Sequence, residues 1–434
     1  MYAFHTLTRY IVIISLVPIG SLTAQISTDS QSQELISFSQ ALQRAIAADP
    51  RLKLNDTMLE VAAGQTEQAK LRPNPSIGAD FENFLGTGTI RDIQGLEVIV
   101  SISQVIETAQ KRLRRTKLAE AREERVDWDR EVILAEIETS LRIAFVDVLI
   151  ARKILSLRQQ QLDLTKHSAE VTQQLVEAAR LPQVKLSRVQ LAVRRQDFAV
   201  NQAEQKLLAS KSVLASYWSE TSADLSFSVV GEIPIEANTL EFSELASKLA
   251  DTAALGRYSA EEKTREASLR LEQSRATPDV EVFTGGHYFN QVEDAGFLFG
   301  IKVPWPIFDK NQGNIRSARA QLSAVRQERD AARREMLIAL NRSYQQLISA
   351  QSEMSEIQSK LLPAAEATLH DIEKGYERGQ FDQLEVLESR GMLFEIREAY
   401  LNALQNYAIA QAEILALTLP APIHPLSSTE TFRQ

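Results

Sequence analysis

Cysteine is absent from this 434-residue chain. The sequence therefore excludes disulfides, thiolate metal sites and a lipid-modified N-terminal cysteine. Glycine is also scarce, at 16 residues. Gly86 and Gly88 lack the third glycine and the following Lys-Ser/Thr of a phosphate-binding loop, and we interpret them as part of a surface turn.

Histidines are few and scattered, and no two have the spacing of a helical metal site. They are His5, His167, His287, His370 and His424. The sequence also lacks a nucleophile elbow, an HExxH motif and a kinase-type set of motifs. We therefore predict a protein that is not an enzyme and that has no cofactor and no metal ligands of its own.

Long hydrophobic runs are missing except near the N-terminus. Residues 1–24 have the features of a secretory signal peptide, with Arg9, an apolar stretch at 10–19 and the small residues Thr23 and Ala24 before the cleavage point. No later stretch reaches the roughly 18 to 20 apolar residues of a membrane-spanning helix. We predict an exported protein, and the alternative is an N-terminal membrane anchor that is not cleaved.

Clustered positive charge is lacking as well. The formal net charge is −9, and basic and acidic residues are interspersed along the predicted helices. A nucleic-acid partner requires a concentrated Lys/Arg surface, so we expect none.

The chain repeats itself at a separation of about 200 residues, far longer than a solenoid repeat. The segment RPNPSI at 72–77 corresponds to RATPDV at 275–280, and LPQV at 181–184 corresponds to FDQL at 381–384. We predict a duplicated chain, with the parts as follows: signal peptide 1–24, first repeat 25–221, linker 222–239, second repeat 240–419 and C-terminal tail 420–434.

Each repeat alternates between helical and strand periodicity. A helix predicted over 39–71 stops at Pro73 and Pro75, which lack the amide donor. Strand-like stretches with one apolar and one polar side follow in both repeats. They lie at 76–85, 95–105, 280–289 and 296–303.

A helix predicted over 111–178 contains neither Gly nor Pro and would extend roughly 100 Å. Its apolar residues recur every seven, which predicts packing along a partner helix; they are Leu134, Leu141, Val148, Leu155, Leu162 and Ala169. In the second repeat Leu340, Leu347, Met354 and Leu361 keep the same interval, and Pro363 is predicted to bend the helix. Short breaks at 179–182 and 379–382 reverse the chain into returning helices.

Four strands are too few to close a membrane barrel, which needs about eight. Because open sheet edges are not tolerated in lipid, other chains must complete the sheet, and three copies give twelve strands. The sequence predicts a homotrimer. The alternative is a periplasmic sheet packed on its own helices.

The layout of helix, two strands, long helix, tip and returning helix, in duplicate, resembles the TolC-like outer-membrane efflux proteins. Local matches are RPNP at 72–75, VPWPIFDKNQGN at 303–314 and GYERGQF at 375–381 followed by EVLE at 385–388. They look most like the heavy-metal branch. The resemblance implies a mainly α fold, in which helical hairpins form a periplasmic tunnel and four strands per chain contribute to a 12-stranded trimeric β-barrel in the outer membrane.

For function, the resemblance implies a passive channel that conducts heavy-metal cations to the exterior. Its partners would be a periplasmic adaptor (membrane fusion protein), an inner-membrane resistance-nodulation-division pump and outer-membrane lipid. Two alternatives stay open. The channel conducts drugs or secretes proteins or peptides by a type I route, or the protein is a periplasmic coiled-coil scaffold without a pore.

For sites, the resemblance implies that Glu385 and Glu388 surround the narrow end of the tunnel. The corresponding positions of the first repeat are Lys185 and Arg188, a departure from the family that suggests a clasp between neighbouring tips, with solvated helix charges as the alternative. The tips that would dock on the adaptor are formed by Ala179, Arg180, Leu181, Pro182, Gly379, Gln380, Phe381 and Asp382. In the family a glycine stands at the position of Ala179.

Overall fold

The computed structural model describes residues 34–219, 225–235 and 240–420. The predicted signal peptide 1–24, parts of the predicted linker and residues 421–434 of the predicted tail lie outside these ranges. Among the described residues, no helix combines the length and the apolar character needed to cross a membrane.

The same order of elements occurs twice along the chain. The first set comprises β1 (Leu35–Ile36), α1 (Phe38–Ala48), α2 (Pro50–Lys70), β2 (Ser76–Glu82), β3 (Glu97–Ile106), α3 (Lys111–Glu177) and α4 (Gln183–Ala215). The second comprises β4 (Ser228–Val229), α5 (Phe242–Lys248), α6 (Ala253–Arg275), β5 (Val280–Phe289), β6 (Asp294–Lys302), α7 (Gln312–Glu356), α8 (Leu362–Glu377) and α9 (Gln383–Thr418).

The first predicted helix is in fact two helices. Asp49 adopts an extended conformation between α1 and α2, and its side chain accepts a hydrogen bond from the backbone N–H of Arg51. Pro50 causes the break, because a proline disfavours the helical conformation of the residue before it but is well suited to the first position of a new helix. The prediction of one continuous helix over 39–71 overlooked this proline.

The four long strands form one antiparallel sheet in the order β2-β3-β5-β6. In the described part of the chain, β2 and β6 are edge strands with no further neighbour. The prediction that β2 continues to Leu85 is wrong, because Asn83 has a left-handed backbone with φ of 57° and ends the strand. β1 and β4 form a separate parallel pair, so the predicted linker contributes a short strand.

The sheet has one apolar and one polar face, as the alternation predicts. The cross-strand neighbours Ile77 and Ile102 lie on the same face as Phe297. Ile77 is 80% exposed and Phe297 is 90% exposed, so nothing in the described part of the chain covers them. The opposite face includes Asp80, Glu97, His287 and Lys302.

The longest helix, α3, contains 67 residues without interruption. Leu141, Val148 and Leu162 of its seven-residue repeat are buried, and so are Leu340, Leu347 and Met354 of α7. The repeat fails at Leu361, which is 46% exposed.

A π-helical turn at Ile357–Leu361 separates α7 from α8. Pro363 cannot donate a backbone hydrogen bond to the preceding turn, and a π turn is a known response to such a defect. The additional residue shifts the helical phase, so that Ile357 and then Ala365, rather than Leu361, are the next buried positions after Met354. A π turn therefore precedes Pro363, where the sequence predicted a bend.

The long helices lie side by side in the order α4-α3-α9-α8, with α7 continuing α8 away from the tips. Their core sits near the middle of the molecule in two clusters of buried side chains. One joins α1, α3 and the end of α4 around Leu141, Phe145 and Leu214. The other joins α3, α5, α7 and α9 around Ile150, Leu340 and Tyr407.

Candidate functional site

The two helical hairpins end in loops of the same shape. In the first, α3 ends at Glu177 and Ala179 takes a left-handed conformation with φ of 56°. The carbonyl of Leu175 then accepts a hydrogen bond of 2.8 Å from the N–H of Arg180, which closes the end of the helix. Pro182 sits just before α4 in an extended conformation.

The second loop repeats this geometry around Gly379, with φ of 72°. The carbonyl of Gly375 accepts a hydrogen bond of 2.9 Å from the N–H of Gln380. The ring of Phe381 lies against Gly375, where a Cβ would come within 2.3 Å of the ring. The left-handed position favours glycine, so Ala179 is the strained member of the pair.

An ion pair joins the two loops. Nζ of Lys185 lies 2.5 Å from Oδ2 of Asp382. The other oxygen of Asp382 accepts hydrogen bonds from the backbone N–H groups of Leu384 and Glu385, at 2.8 and 3.2 Å. The hydrogen bond from Lys185, together with these backbone donors, lowers the pKa of Asp382 below its usual value.

Within one chain, Lys185 therefore pairs with Asp382 and not with Glu385 or Glu388. Oε2 of Glu385 accepts a hydrogen bond of 2.7 Å from the N–H of Asp382, which completes a capping box at the start of α9. Glu388 and Arg188 are exposed and have no ion-pair partner among the described residues.

Ion pairs hold α8 and α9 together above the second loop. Nη2 of Arg390 lies 2.7 Å from Oε1 of Glu373, and Nη2 of Arg397 lies 3.2 Å from Oε1 of Glu366. Arg158 of α3 and Glu398 of α9 connect the two hairpins higher up. Asp382 was not predicted to form an ion pair. Its spacing to Glu385, three residues later, is nevertheless the signature of a capping box.

The polar face of the sheet brings a histidine close to a carboxylate. Nε2 of His287 lies 2.7 Å from Oε2 of Glu97, and Nδ2 of Asn83 donates a hydrogen bond to Oε1 of the same carboxylate. His287 makes no well-directed hydrogen bond through Nε2 and packs on the ring of Phe289. In the described ranges, no group of three or more His, Cys, Asp or Glu side chains is arranged to hold a metal ion.

The chain is similar to known proteins in both sequence and fold. A family profile described as "Outer membrane efflux protein" matches residues 247–418. The cobalt-zinc-cadmium resistance protein CzcC of Cupriavidus metallidurans is 25% identical over 375 residues, which are 85% of this chain and 87% of that protein. The nickel-cobalt-cadmium resistance protein NccC of Alcaligenes xylosoxydans xylosoxydans is 23% identical and covers 70% of each chain.

Residues 247–418 thus match the outer-membrane efflux family. The sequence is similar to heavy-metal resistance proteins, as the motifs indicated. Solved structures agree on the fold. The outer-membrane channel OprN superposes with a TM-score of 0.70 at 14% identity and covers 88% of this chain and 89% of its own, and CusC superposes at 0.68 and 14%, covering 88% and 91%.

The matched family is that of outer-membrane efflux proteins, and OprN is an outer-membrane channel with the fold of this chain. The family assembles its channels as trimers within a tripartite pump, together with an adaptor and an inner-membrane pump. The loops of the two hairpins lie at the helical end of such a channel, farthest from the sheet. Members of this family and the superposed structures are channels and not enzymes.

Proposed function

We propose that this protein is the outer-membrane duct of a tripartite system that exports heavy-metal cations. The duct itself is passive, and the energy comes from an inner-membrane pump of the resistance-nodulation-division type. The observation that best supports a membrane channel is the sheet, which has an exposed apolar face and two edge strands without a further partner in the described part of the chain. Such a sheet fits a lipid environment only when neighbouring copies pair with its edges.

Metal cations as cargo are supported by the similarity to resistance proteins named for cobalt, zinc, cadmium and nickel. The charge near the second hairpin loop also supports cations as cargo. Glu388 is exposed near the start of α9. Three copies of it around one axis would favour cations over anions at the entrance.

The hairpin loops are the proposed docking surface for the periplasmic adaptor. Both loops, Ala179–Arg180–Leu181–Pro182 and Gly379–Gln380–Phe381–Asp382, are largely exposed and lie side by side because Lys185 joins them. Outer-membrane lipid is the proposed partner of the apolar sheet face.

The contacts at the two loops suggest a separate role for each charged residue of the proposed gate. Since Lys185 is bound to Asp382 of its own chain, we assign it to holding the two loops together, while Glu385 caps α9 and Glu388 faces the entrance. Arg188 remains available for a partner on another chain.

Removal of the gene from its native host tests the cargo. We expect greater sensitivity to Co²⁺, Zn²⁺, Cd²⁺ or Ni²⁺, with little change towards detergents and drugs, and restoration by the full-length gene. Sensitivity to drugs alone, or loss of a secreted protein, would support the other channel function.

The entrance is tested in the complemented strain with Glu388→Gln, which removes the charge at nearly constant volume. Glu395→Gln is the matched control, because Glu395 is also exposed and lies seven residues further along α9 on the same side. We expect reduced metal resistance, or reduced cation selectivity of the purified channel in planar bilayers, for the first variant only. Equal behaviour of both variants would remove the special role of Glu388.

Fractionation separates the channel from a scaffold without a pore. A channel is recovered with the outer membrane and leaves it only in detergent. Recovery in the soluble periplasmic fraction would contradict the proposal as a whole.

A further inference from the structure

A histidine and a glutamate from different repeats of the chain meet at the end of the sheet farthest from the helices. Oε2 of Glu97, the first residue of β3, lies 2.7 Å from Nε2 of His287, near the end of β5. The loops after β2 and β5 lie at this end, where the N–H of Asn290 donates a hydrogen bond of 3.0 Å to the carbonyl of Leu96. In the proposed channel, the polar face of the sheet lines the lumen and this end opens to the exterior.

The contact between the two side chains is not a hydrogen bond. Nε2 of His287 is shielded from solvent and has no directed hydrogen-bond partner, although Oε2 of Glu97 lies within hydrogen-bonding distance. The direction of a ring N–H therefore passes beside this oxygen. A nitrogen lone pair has the same direction, so the nitrogen and the oxygen are arranged like two neighbouring ligands of one cation, which point to a common third position.

The distance between the two atoms is compatible with a shared metal ion. Two ligand atoms that each lie about 2.1 Å from one metal are about 3.0 Å apart at a right angle and about 3.4 Å apart at a tetrahedral angle. The observed 2.7 Å is closer to the right angle. Right angles occur in six-coordinate complexes, such as those that Co²⁺ and Ni²⁺ form with water, whereas Zn²⁺ in structural sites is tetrahedral. An imidazole also favours transition metals over Mg²⁺ and Ca²⁺, which prefer oxygen ligands.

Each of the two side chains is held by a second contact. Nδ2 of Asn83 donates a hydrogen bond of 2.9 Å to Oε1 of Glu97, which leaves Oε2 beside the imidazole. The ring of Phe289 lies 3.9 Å from the ring of His287, measured between centroids, and restricts its rotation. Such outer contacts orient metal ligands and raise the affinity. The side chains of His287 and Glu97 are 22% and 26% exposed, so a cation can reach them from the lumen.

Two more carboxylates lie in the same row across the sheet. Glu82 of β2 is directly opposite Glu97, and Asp294 of β6 is directly opposite Phe289. Both are exposed, and their negative charge raises the concentration of cations near His287. In the described part of the chain, no set of three or more His, Cys, Asp or Glu side chains is arranged around one ion, so neither carboxylate completes a ligand set.

We propose that His287 and Glu97 bind one divalent transition-metal cation at the outer end of the channel, with Co²⁺ and Ni²⁺ preferred. Nε2 and Oε2 are the two protein ligands, and water occupies the remaining positions. Because two protein ligands hold an ion only loosely, the site retains a cation briefly and releases it to the exterior. The inference rests on the proposed function, which places the polar face of the sheet in the path of the exported ions.

Calorimetric titration with Co²⁺ and Ni²⁺ tests the site in the full-length protein, solubilised in detergent and prepared without a histidine tag. With excess Mg²⁺ present, the wild type should bind an ion that His287→Gln and Glu97→Gln each bind at least about 10-fold more weakly. The matched control is His167→Gln. Nδ1 of His167 also lies near a glutamate, 3.7 Å from Oε2 of Glu170, but its side chain is 74% exposed. This control should leave the binding unchanged.

Asn83→Gly is a second variant that keeps both ligands. Asn83 has a left-handed backbone with φ of 57°, which glycine adopts readily, so this change removes the hydrogen bond to Glu97 and preserves the turn. We expect about 10-fold weaker Co²⁺ binding at an unchanged trimer mass. Unchanged affinity would show that Asn83 does not position the carboxylate.

Conductance in planar bilayers tests the location of the site. Co²⁺ added on the side of the sheet loops should reduce the conductance of the wild type more than an equal concentration of Mg²⁺. His287→Gln should abolish this difference, and His167→Gln should preserve it. A difference that persists in His287→Gln would place the binding elsewhere and overturn the proposal.

The outcomes separate this site from the proposed function. Equal Co²⁺ affinity of the wild type, His287→Gln and Glu97→Gln would overturn the site and leave the channel intact. Displacement of Co²⁺ by an equal concentration of Mg²⁺ would also overturn it, because the row of carboxylates would then act only as diffuse negative charge. A protein that binds Co²⁺ through His287 but forms no pore would retain the site and overturn the proposed function.

Discussion

Replacing Lys185 by Met should loosen the two hairpin loops while preserving the length of the side chain. Lys185 and Asp382 are 31% and 48% exposed, so water screens the pair and it contributes less than about 1 kcal/mol. If the trimer opens in one step, its three pairs together stabilise the closed entrance by about 1–3 kcal/mol. Their loss should therefore shift the equilibrium between closed and open entrance about 5- to 150-fold towards the open state. Open probability in planar bilayers measures this shift.

Lys206→Met is a suitable control, since Lys206 lies on the same helix at the same position of the seven-residue repeat, three repeats further from the loop. It should leave the open probability unchanged. The exchange Lys185→Asp with Asp382→Lys should recover part of the closed state. If Lys185→Met and Lys206→Met behave alike, the pair does not restrain the entrance and the reasoning fails.

Three more predictions concern single residues. Ala179→Gly should stabilise the first loop by about 0.5–1 kcal/mol, because it relieves a left-handed conformation, and slower amide hydrogen exchange around the loop would show this. Because the pKa of Asp382 is lowered in the folded protein, its ion pair with Lys185 stabilises the closed entrance above the ordinary aspartate pKa near 3.9 and is lost as the pH falls through the lower folded-state value. Open probability should therefore rise below about pH 4, and it should rise less in Lys185→Met. A response centred near neutral pH would contradict this. Phe299→Arg on the apolar sheet face should destabilise insertion by about 2–4 kcal/mol and reduce the protein recovered in the outer membrane, whereas Leu298→Arg on the opposite face should have less effect.

The sequence predicted the bounds of helices and strands best where regular packing or pairing continues along the whole element. The strand over 280–289 has the predicted bounds, because β5 pairs with β3 along its whole length and with β6 along nearly all of it. The helix predicted over 111–178 ends one residue earlier. Its seven-residue pattern is long, and packing reinforces it.

The predicted bounds of helices and strands were wrong where a single residue set the backbone conformation. Pro50 divided the first helix, and Asn83 ended β2 early because it adopts a left-handed conformation. The π turn before Pro363 was not predictable from spacing, since a bend and a π turn are both ways to accommodate a missing amide donor. The sequence pattern did not distinguish between them.

The sequence predicted where the two hairpin loops lie, but not which of their charged residues pair within the chain. Duplicated motifs located both loops and the charged residues that follow them. The pairing of the charges depends on how two loops about 200 residues apart in sequence approach each other in space. This approach places Lys185 beside Asp382, and spacing along the sequence does not show it. Glu385 stays a predicted pore residue, and its carboxylate also accepts a hydrogen bond from the N–H of Asp382, as the short-range capping pattern would have indicated.

The unpaired edges of β2 and β6 also have a genetic consequence. Because a single chain leaves two rows of backbone donors and acceptors unsatisfied in lipid, insertion and assembly must be coupled, and one defective copy affects a whole trimer. When a cell makes equal amounts of normal and defective chains, about one trimer in eight contains only normal copies if they mix at random. Variants that assemble but do not conduct should therefore be dominant negative, whereas variants that cannot pair their edge strands should be recessive.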